Sequence, residues 1–91
     1  MTKTEIAVSD IKREMRWGYK DQSTSNLLRL IDSLKAQRDA RTAAVVQAAS
    51  NYVGALIAAS RAGFDPASVG VLKLSAYRLS DTIRYWETAQ A

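Results

Sequence analysis

The sequence predicts an all-α fold of three helices, in which a long central helix forms an antiparallel hairpin with the C-terminal helix and two chains join as a dimeric helical bundle. Apolar residues recur at steps of three and four along most of the chain, which is the period of an α-helix. Only four glycines and one proline interrupt the 91 residues. No charged residue lies between Thr42 and Ser60, where small side chains predominate and would let another helix approach closely. We therefore expect one all-helical domain over residues 1–91.

The first helix is predicted over residues 4–17. Thr2 and Glu5 have the spacing of a capping box, which satisfies free backbone N–H groups at the start of a helix. An apolar stripe follows at helical spacing, formed by Val8, Ile11 and Met15. Gly18 is expected to end the helix, before a polar loop.

The second helix is predicted over residues 25–62. Ser25 and its polar neighbours can cap its start, and no glycine or proline follows before Gly54. Its stripe alternates steps of four and three, as in a heptad repeat: Leu27, Ile31, Leu34, Arg38, Arg41, Val45, Ala48, Tyr52, Ala55, Ala59 and Ala62.

Residues 36–42 form the weak part of this helix, because they include no large apolar side chain. The helix either continues through them or bends there, and we favour continuity because alanine, glutamine and arginine are good helix formers. Arg38 and Arg41 could pair with an acid such as Asp32 or Asp39 of a second chain. We favour their exposure to solvent, since an unpaired buried arginine is too costly.

The third helix is predicted over residues 66–89. Gly63 suits the left-handed position that closes a helix, Asp65 can cap the next one, and Pro66 fits its first position. The apolar stripe of this helix again steps by three and four: Val69, Leu72, Ala76, Leu79, Ile83 and Trp86. The short link makes the second and third helices antiparallel neighbours.

The predicted lengths leave apolar surface uncovered. The second helix would be about 57 Å long and the third about 36 Å, so that the assembly is a rod two helices thick. Several apolar residues lie off the main stripes: Leu28, Leu30, Val46, Val53, Ile57, Val71 and Leu74. Exposed apolar area of this extent usually marks an interface, which predicts a homodimer. The expected dimer residues are Leu27, Leu30, Ile31, Leu34, Ala48, Tyr52, Ala55 and Ala59.

A second surface is predicted where basic and aromatic residues mix, at Arg13, Arg16, Trp17 and Tyr19. Arginine, tryptophan and tyrosine are frequent anchors of protein interfaces. The favoured interpretation is a small non-enzymatic interaction module that regulates, inhibits or chaperones a larger protein partner. A solvated basic face, beside a tryptophan that closes the end of the core, is the simpler alternative.

The residue inventory points away from catalysis. The chain has neither cysteine nor histidine, which removes disulfides, thiolate chemistry, imidazole acid–base chemistry and the usual zinc ligands. Tyr77, Asp81 and Tyr85 recur every four residues, but no nucleophile and base accompany them, so we expect a structural edge of the third helix. No enzyme activity, catalytic residue, cofactor or metal is expected.

The charge is +4, with thirteen basic and nine acidic residues interleaved. The alternative function is therefore a nucleic-acid-binding dimer that uses the basic residues of the first helix and the start of the second. A membrane span over residues 42–60 is not expected, because polar side chains interrupt it. The N-terminus lacks the apolar core of a signal peptide, which favours a cytoplasmic protein.

The segment Gly63-Phe64-Asp65, followed by Val71-Leu72-Lys73, resembles the helix-joining turn of a family of small bacterial chromatin-associated proteins that bind AT-rich DNA. That resemblance is confined to residues 63–73 and implies nucleic-acid binding. The size and helical build of the chain also resemble small phage or secretion-system adaptors, which implies binding to a protein.

Overall fold

A computed structural model describes residues 2–16, 21–38 and 40–90 of the chain. These residues form four α-helices and no strand: α1 (Lys3–Arg16), α2 (Asp21–Ala36), α3 (Ala43–Arg61) and α4 (Pro66–Gln90), with one turn of 3₁₀-helix at Ala40–Thr42 before α3. The all-α prediction is confirmed. The prediction of three helices is wrong, because the expected second helix is divided into α2 and α3.

The start of α1 follows the predicted cap. The backbone N–H of Glu5 donates to the hydroxyl oxygen of Thr2 at 3.1 Å, and the N–H of Ile6 donates to the Thr2 carbonyl oxygen at 3.0 Å. The Thr2 hydroxyl therefore gives a partner to one of the N–H groups that a helix start leaves unsatisfied, and the Ile6 bond is the first i to i−4 bond of the helix. The apolar stripe is buried as expected, with Val8 and Ile11 in the core and Met15 packed partly against it.

The break between α2 and α3 corrects the prediction of a continuous helix over residues 25–62. At the end of α2 the N–H of Gln37 donates to the carbonyl oxygen of Leu34, and the N–H of Arg38 donates to that of Lys35. The backbone of Arg38 is left-handed, with φ of 51°. Such a conformation costs a non-glycine residue about 1–2 kcal/mol. The Thr4 hydroxyl also donates to the Gln37 side-chain oxygen, which joins the start of α1 to the break.

Packing explains why the chain breaks where no glycine or proline requires it. Residues 36–42 have no large apolar side chain to hold a straight helix against a neighbour. Reversal of the chain there lets Leu27, Ile31 and Leu34 of α2 join the same core as Val45 and Tyr52 of α3, all of them buried. Burial of a large apolar side chain contributes about 1.5–3 kcal/mol, so several such contacts exceed the backbone cost.

The turn between α3 and α4 confirms the predicted helix end. The backbone of Gly63 is left-handed, with φ of 67°. The Gly63 N–H donates to the Ser60 carbonyl oxygen at 3.2 Å, and the Phe64 N–H donates to the Ala59 carbonyl oxygen at 2.8 Å. This pair of bonds is a Schellman motif. Asp65 then caps α4, because its carboxylate accepts from the Ser68 N–H at 2.9 Å. The Ser68 hydroxyl, and then this N–H, lower the pKa of Asp65 below its usual 3.8.

The core lies between the four helices of one chain. α3 packs along α4, α2 packs on both α1 and α3, and α1 reaches α4. The radius of gyration is 12.8 Å, close to the roughly 12 Å of a compact domain of this length. The rod predicted from a continuous second helix is therefore replaced by a bundle. Its buried apolar residues are Ala7, Val8, Ile11, Leu27, Ile31, Leu34, Val45, Ala49, Tyr52, Val53, Leu56, Ala59, Leu72, Leu79, Ile83 and Trp86.

One helical segment, Ala40–Arg61, has the length and mean hydropathy (1.3) of a candidate membrane span, and 39% of it is buried inside the chain. The core helix of a soluble protein meets the same criterion, and α3 places Val45, Tyr52 and Leu56 in this core. The segment is therefore weak support for a membrane role.

Candidate protein-interaction surface

The structure places most of the predicted dimer residues inside a single chain. Leu27, Ile31, Leu34, Tyr52 and Ala59 are each at most 3% exposed. Leu30, Ala48 and Ala55 are partly buried and pack against the same core. For the five buried residues the prediction of a dimer contact is corrected, because the break after Ala36 lets both halves of the expected long helix cover each other. For Leu30, Ala48 and Ala55 it stays a prediction.

The predicted partner-binding surface falls largely on residues that the structure does not describe. Trp17, Tyr19 and the side chain of Arg16 lie outside the described part of the chain. Arg13 is exposed, and its guanidinium donates to the Asp10 carboxylate at 2.9 Å. This surface stays a prediction from sequence.

The apolar residues predicted to remain exposed divide into two groups. Val53 is buried, and Leu30, Val46 and Ile57 are partly buried against the core. Leu28, Val71 and Leu74 are exposed, and two of these three lie on α4. The uncovered apolar surface expected from the sequence is therefore smaller than predicted and lies mainly on the last helix.

We define the outer face of α4 as Val71, Leu74, Arg78, Asp81 and Tyr85. These residues follow one another at steps of three, four, three and four, so they share one side of the helix. Val71 is 59% exposed, Leu74 51% and Tyr85 78%. Isolated apolar residues are normal on a protein surface, whereas a row of them along one helix is typical of an interface.

The opposite side of α4 is the one that the core uses. Leu72, Leu79, Ile83 and Trp86 are buried there, and these are the large residues of the predicted stripe. α4 therefore has one apolar row packed within the chain, and a second row in contact with solvent, in which Val71, Leu74 and Tyr85 flank two charged residues. A helix that needs only one covered side has no structural reason to carry the second row.

The middle of the outer face carries two opposite charges. Arg78 and Asp81 are both exposed, and among the described residues neither takes part in an ion pair. Each remains available to a charged group on another molecule. The face therefore offers apolar contact at its ends and one cation and one anion near its centre.

The surface beside this face is shallow. A groove of about 380 Å³ separates α4 from α3, with Ala44, Gln47, Ala48 and Asn51 on its α3 side and Arg78 and Asp81 on its α4 side. The two charged residues of the outer face therefore border this groove, whereas Val71 and Leu74 are not among its lining residues.

Two further clefts border α4, one on its α1 side and one on its α3 side. The larger, of about 710 Å³, separates α1 from α4 and is crossed by the ion pair of Lys12 with Glu87, whose atoms are 2.9 Å apart. The smaller, of about 230 Å³, is lined by Val45, Tyr85 and Trp86 among others. Among the described residues the buried indole N–H of Trp86 has no hydrogen-bond partner, which carries a cost in free energy. In the described part of the chain no three potential metal ligands lie together.

The basic residues of α1 are partly neutralised. Lys12 pairs with Glu87, and Arg13 pairs with Asp10. A surface that binds nucleic acid needs cations that can release counterions from phosphates. Within residues 2–16 the available positive charge is therefore lower than the sequence alone indicates.

The sequence contained the signal for the outer face of α4. Val71 and Leu74 were recognised as lying off the predicted stripe, and Asp81 and Tyr85 were assigned to a structural edge. The regular spacing joins these residues through Arg78, and in the sequence it is masked by two charged residues and by the stronger row that faces the core.

Comparison of the chain with models of protein families, with curated proteins and with solved structures gives no match.

Proposed function

We propose that this chain is a non-enzymatic helical interaction module, which binds another protein through the outer face of α4 and thereby regulates, inhibits or chaperones it. A single observation carries the proposal: α4 has a second row of exposed apolar residues opposite the row that the core already covers. Burial of that row in a complex would remove apolar surface from water, which is the main driving force of protein association.

The kind of contact follows from the composition of the face. Tyr85 is a large amphipathic side chain of the type that anchors interfaces, and arginine is enriched there as well. Val71 and Leu74 add apolar area, while Arg78 and Asp81 set orientation and exclude partners with the wrong charges. A partner with a shallow apolar strip and two complementary charges would fit this face.

The surface around Arg13, Arg16, Trp17 and Tyr19 supports the proposal as a second contact. Its residue types are those of interface anchors. An Arg16→Ala and Trp17→Ala double variant is expected to lose a part of the wild-type partners. Retention of every partner by this variant would remove the second contact from the proposal and leave the α4 contact untouched.

The main experiment compares capture by three purified proteins. The wild type, a Val71→Glu and Leu74→Glu double variant, and a Leu28→Glu control are each used to capture proteins from the cells that express the chain. Leu28 is a matched control because it is an apolar residue of similar exposure, 46%, on α2. A captured protein is then purified and its Kd for each variant is measured.

We expect a partner whose Kd is the same for the wild type and for the Leu28→Glu control. Its Kd for the α4 double variant should be at least about tenfold higher, a loss of about 1.4 kcal/mol in binding free energy. Circular dichroism of all three proteins checks that the helices are intact. Equal binding by all three would overturn the proposed role of α4.

A further inference from the structure

We propose that the outer face of α4 binds the same face of a second copy of this chain, with the two helices antiparallel. This inference rests on the proposed function, since it assigns an occupant to the same surface. It differs from the homodimer expected from sequence, whose residues belong largely to the core of one chain. The positions of Arg78 and Asp81 favour this arrangement.

The outer face has the spacing of a coiled-coil contact. Every seventh residue from position 71 lies on this face, namely Val71, Arg78 and Tyr85. A second series with the same spacing is offset by three residues and begins with Leu74 and Asp81. Thr88 continues the second series at the next turn and is also exposed. The row from Val71 to Thr88 is about 26 Å long, which is enough for six layers of side chains.

The two charges select the direction of pairing. In a parallel pair each residue lies opposite its own copy, so that arginine would meet arginine and aspartate would meet aspartate. Like charges that face each other in an interface are unfavourable. In an antiparallel pair Arg78 of each copy can face Asp81 of the other, and two ion pairs form around the two-fold axis.

The same arrangement matches the other layers. In an antiparallel pair, the numbers of two residues that face each other always add to the same total. If Arg78 faces Asp81, then Leu74 faces Tyr85. By the same rule Val71 faces Thr88. Leucine against tyrosine is an apolar contact with large buried area. The Thr88 hydroxyl already donates to the Arg84 carbonyl oxygen at 2.8 Å, so a contact there leaves no hydroxyl without a partner.

The face is thus complementary to itself in charge and in the pairing of its apolar residues. A two-fold interface places the same patch on both copies, and each contact appears twice. A single register pairs Arg78 with Asp81 and Leu74 with Tyr85. The contact ends in this register at Thr88. A second copy supplies the matching surface by symmetry.

Charge reversal with rescue tests the pairing. The single variants Arg78→Asp and Asp81→Arg each place like charges opposite one another in the dimer. Each is expected to weaken self-association at least about tenfold, as seen by sedimentation equilibrium. An equimolar mixture of the two variants restores both ion pairs, so a heterodimer of near wild-type Kd is expected.

Lys73→Asp is the matched control. Lys73 is exposed on α4 but lies off the outer face, and its substitution changes the net charge by the same amount as Arg78→Asp. The control is expected to dimerise as the wild type does. Circular dichroism and thermal unfolding at low concentration show whether each monomer is folded.

The outcomes separate this inference from the proposed function. A wild-type chain that stays monomeric at about 1 mM would overturn the dimer, while a protein partner that depends on Val71 and Leu74 would still support the function. A dimer that is insensitive to both charge reversals, or a mixture that is not rescued, would overturn the α4 pairing. Rescue in the mixture alone, with Lys73→Asp unaffected, supports it.

Discussion

The backbone N–H of Phe64 donates a hydrogen bond to the carbonyl oxygen of Ala59 at 2.8 Å, across the end of α3. This bond closes the helix and turns the chain, so that α4 begins at Pro66 and packs back along α3. The turn thereby determines which side of α4 meets the core and which side faces outward. The proposed interaction surface depends on this local geometry.

Gly63→Ala is expected to destabilise the chain by about 1 kcal/mol. A Cβ at position 63 meets no atom within 4 Å, so the cost comes from the left-handed backbone, with φ of 67°, rather than from a clash. Chemical denaturation at several concentrations measures the free energy of unfolding.

Gly54→Ala is the control for this change. Gly54 lies inside α3, and a Cβ there also meets no atom within 4 Å. Alanine is favoured over glycine in a helix interior by about 0.5–1 kcal/mol, so this variant is expected to be more stable than the wild type. An equal loss of stability in both variants would contradict the assigned turn.

The cap at Asp65 predicts a dependence of stability on pH. The pKa of Asp65 is lowered in the folded chain, by the Ser68 hydroxyl and then by the Ser68 N–H. A lowered folded-state pKa contributes stability above the unfolded-state pKa, and this contribution is lost as the pH falls through the folded-state value. Asp65→Asn keeps an acceptor for the cap but does not titrate.

The wild type is therefore expected to be more stable than Asp65→Asn at neutral pH, and the difference in Tm should shrink below the usual Asp pKa of 3.8. Ser68→Ala removes the hydroxyl, so it is expected to raise the pKa of Asp65 towards that value, as measured by NMR titration. A difference in Tm that is constant from pH 7 to about pH 2 would exclude this account.

Local signals were read well from the sequence, and the long-range packing was not. The Thr2 cap, the Gly63 turn and the Asp65 cap depend on neighbouring residues, and each forms as predicted. The break after Ala36 depends on what α2 can cover once the chain reverses, which no local propensity reveals. The burial of five predicted dimer residues, among them Leu27 and Tyr52, depends on the same long-range packing.

The two rows of α4 predict different responses to truncation. Leu79 is fully buried, so Leu79→Ala is expected to lower the free energy of unfolding by about 2–5 kcal/mol. Leu74 is 51% exposed, so Leu74→Ala should change the stability of the monomer by no more than about 0.5 kcal/mol. Denaturation of the dilute chain measures both.

The same Leu74→Ala variant is expected to weaken the proposed contact of the outer face. Its loss of stability should therefore increase with protein concentration, because dimerisation contributes more to the wild type as concentration rises. A concentration-independent loss of several kcal/mol would place Leu74 in the core of the monomer instead.

The nucleic-acid alternative predicts retention that depends strongly on salt. Because Lys12 and Arg13 already have acidic partners, we expect no retention of duplex DNA at about 50 mM salt. A gel-shift titration checks this, with Lys12→Ala and Arg13→Ala as the variants to compare. Retention that declines steeply between about 50 and 200 mM salt, and that these variants weaken, would favour nucleic-acid binding over the proposed function.

The backbone of Arg38 offers a direct test of the break between α2 and α3. Glycine adopts φ of 51° without the cost that arginine meets there, so Arg38→Gly is expected to leave stability unchanged or raise it by up to about 1 kcal/mol. In a continuous helix the same substitution would lower stability by about 1 kcal/mol. Ser33→Gly, at an exposed position inside α2, is the control and is expected to lower stability by a few tenths of a kcal/mol. The sign of the Arg38→Gly effect therefore distinguishes a bundle with a hinge at this residue from a straight rod.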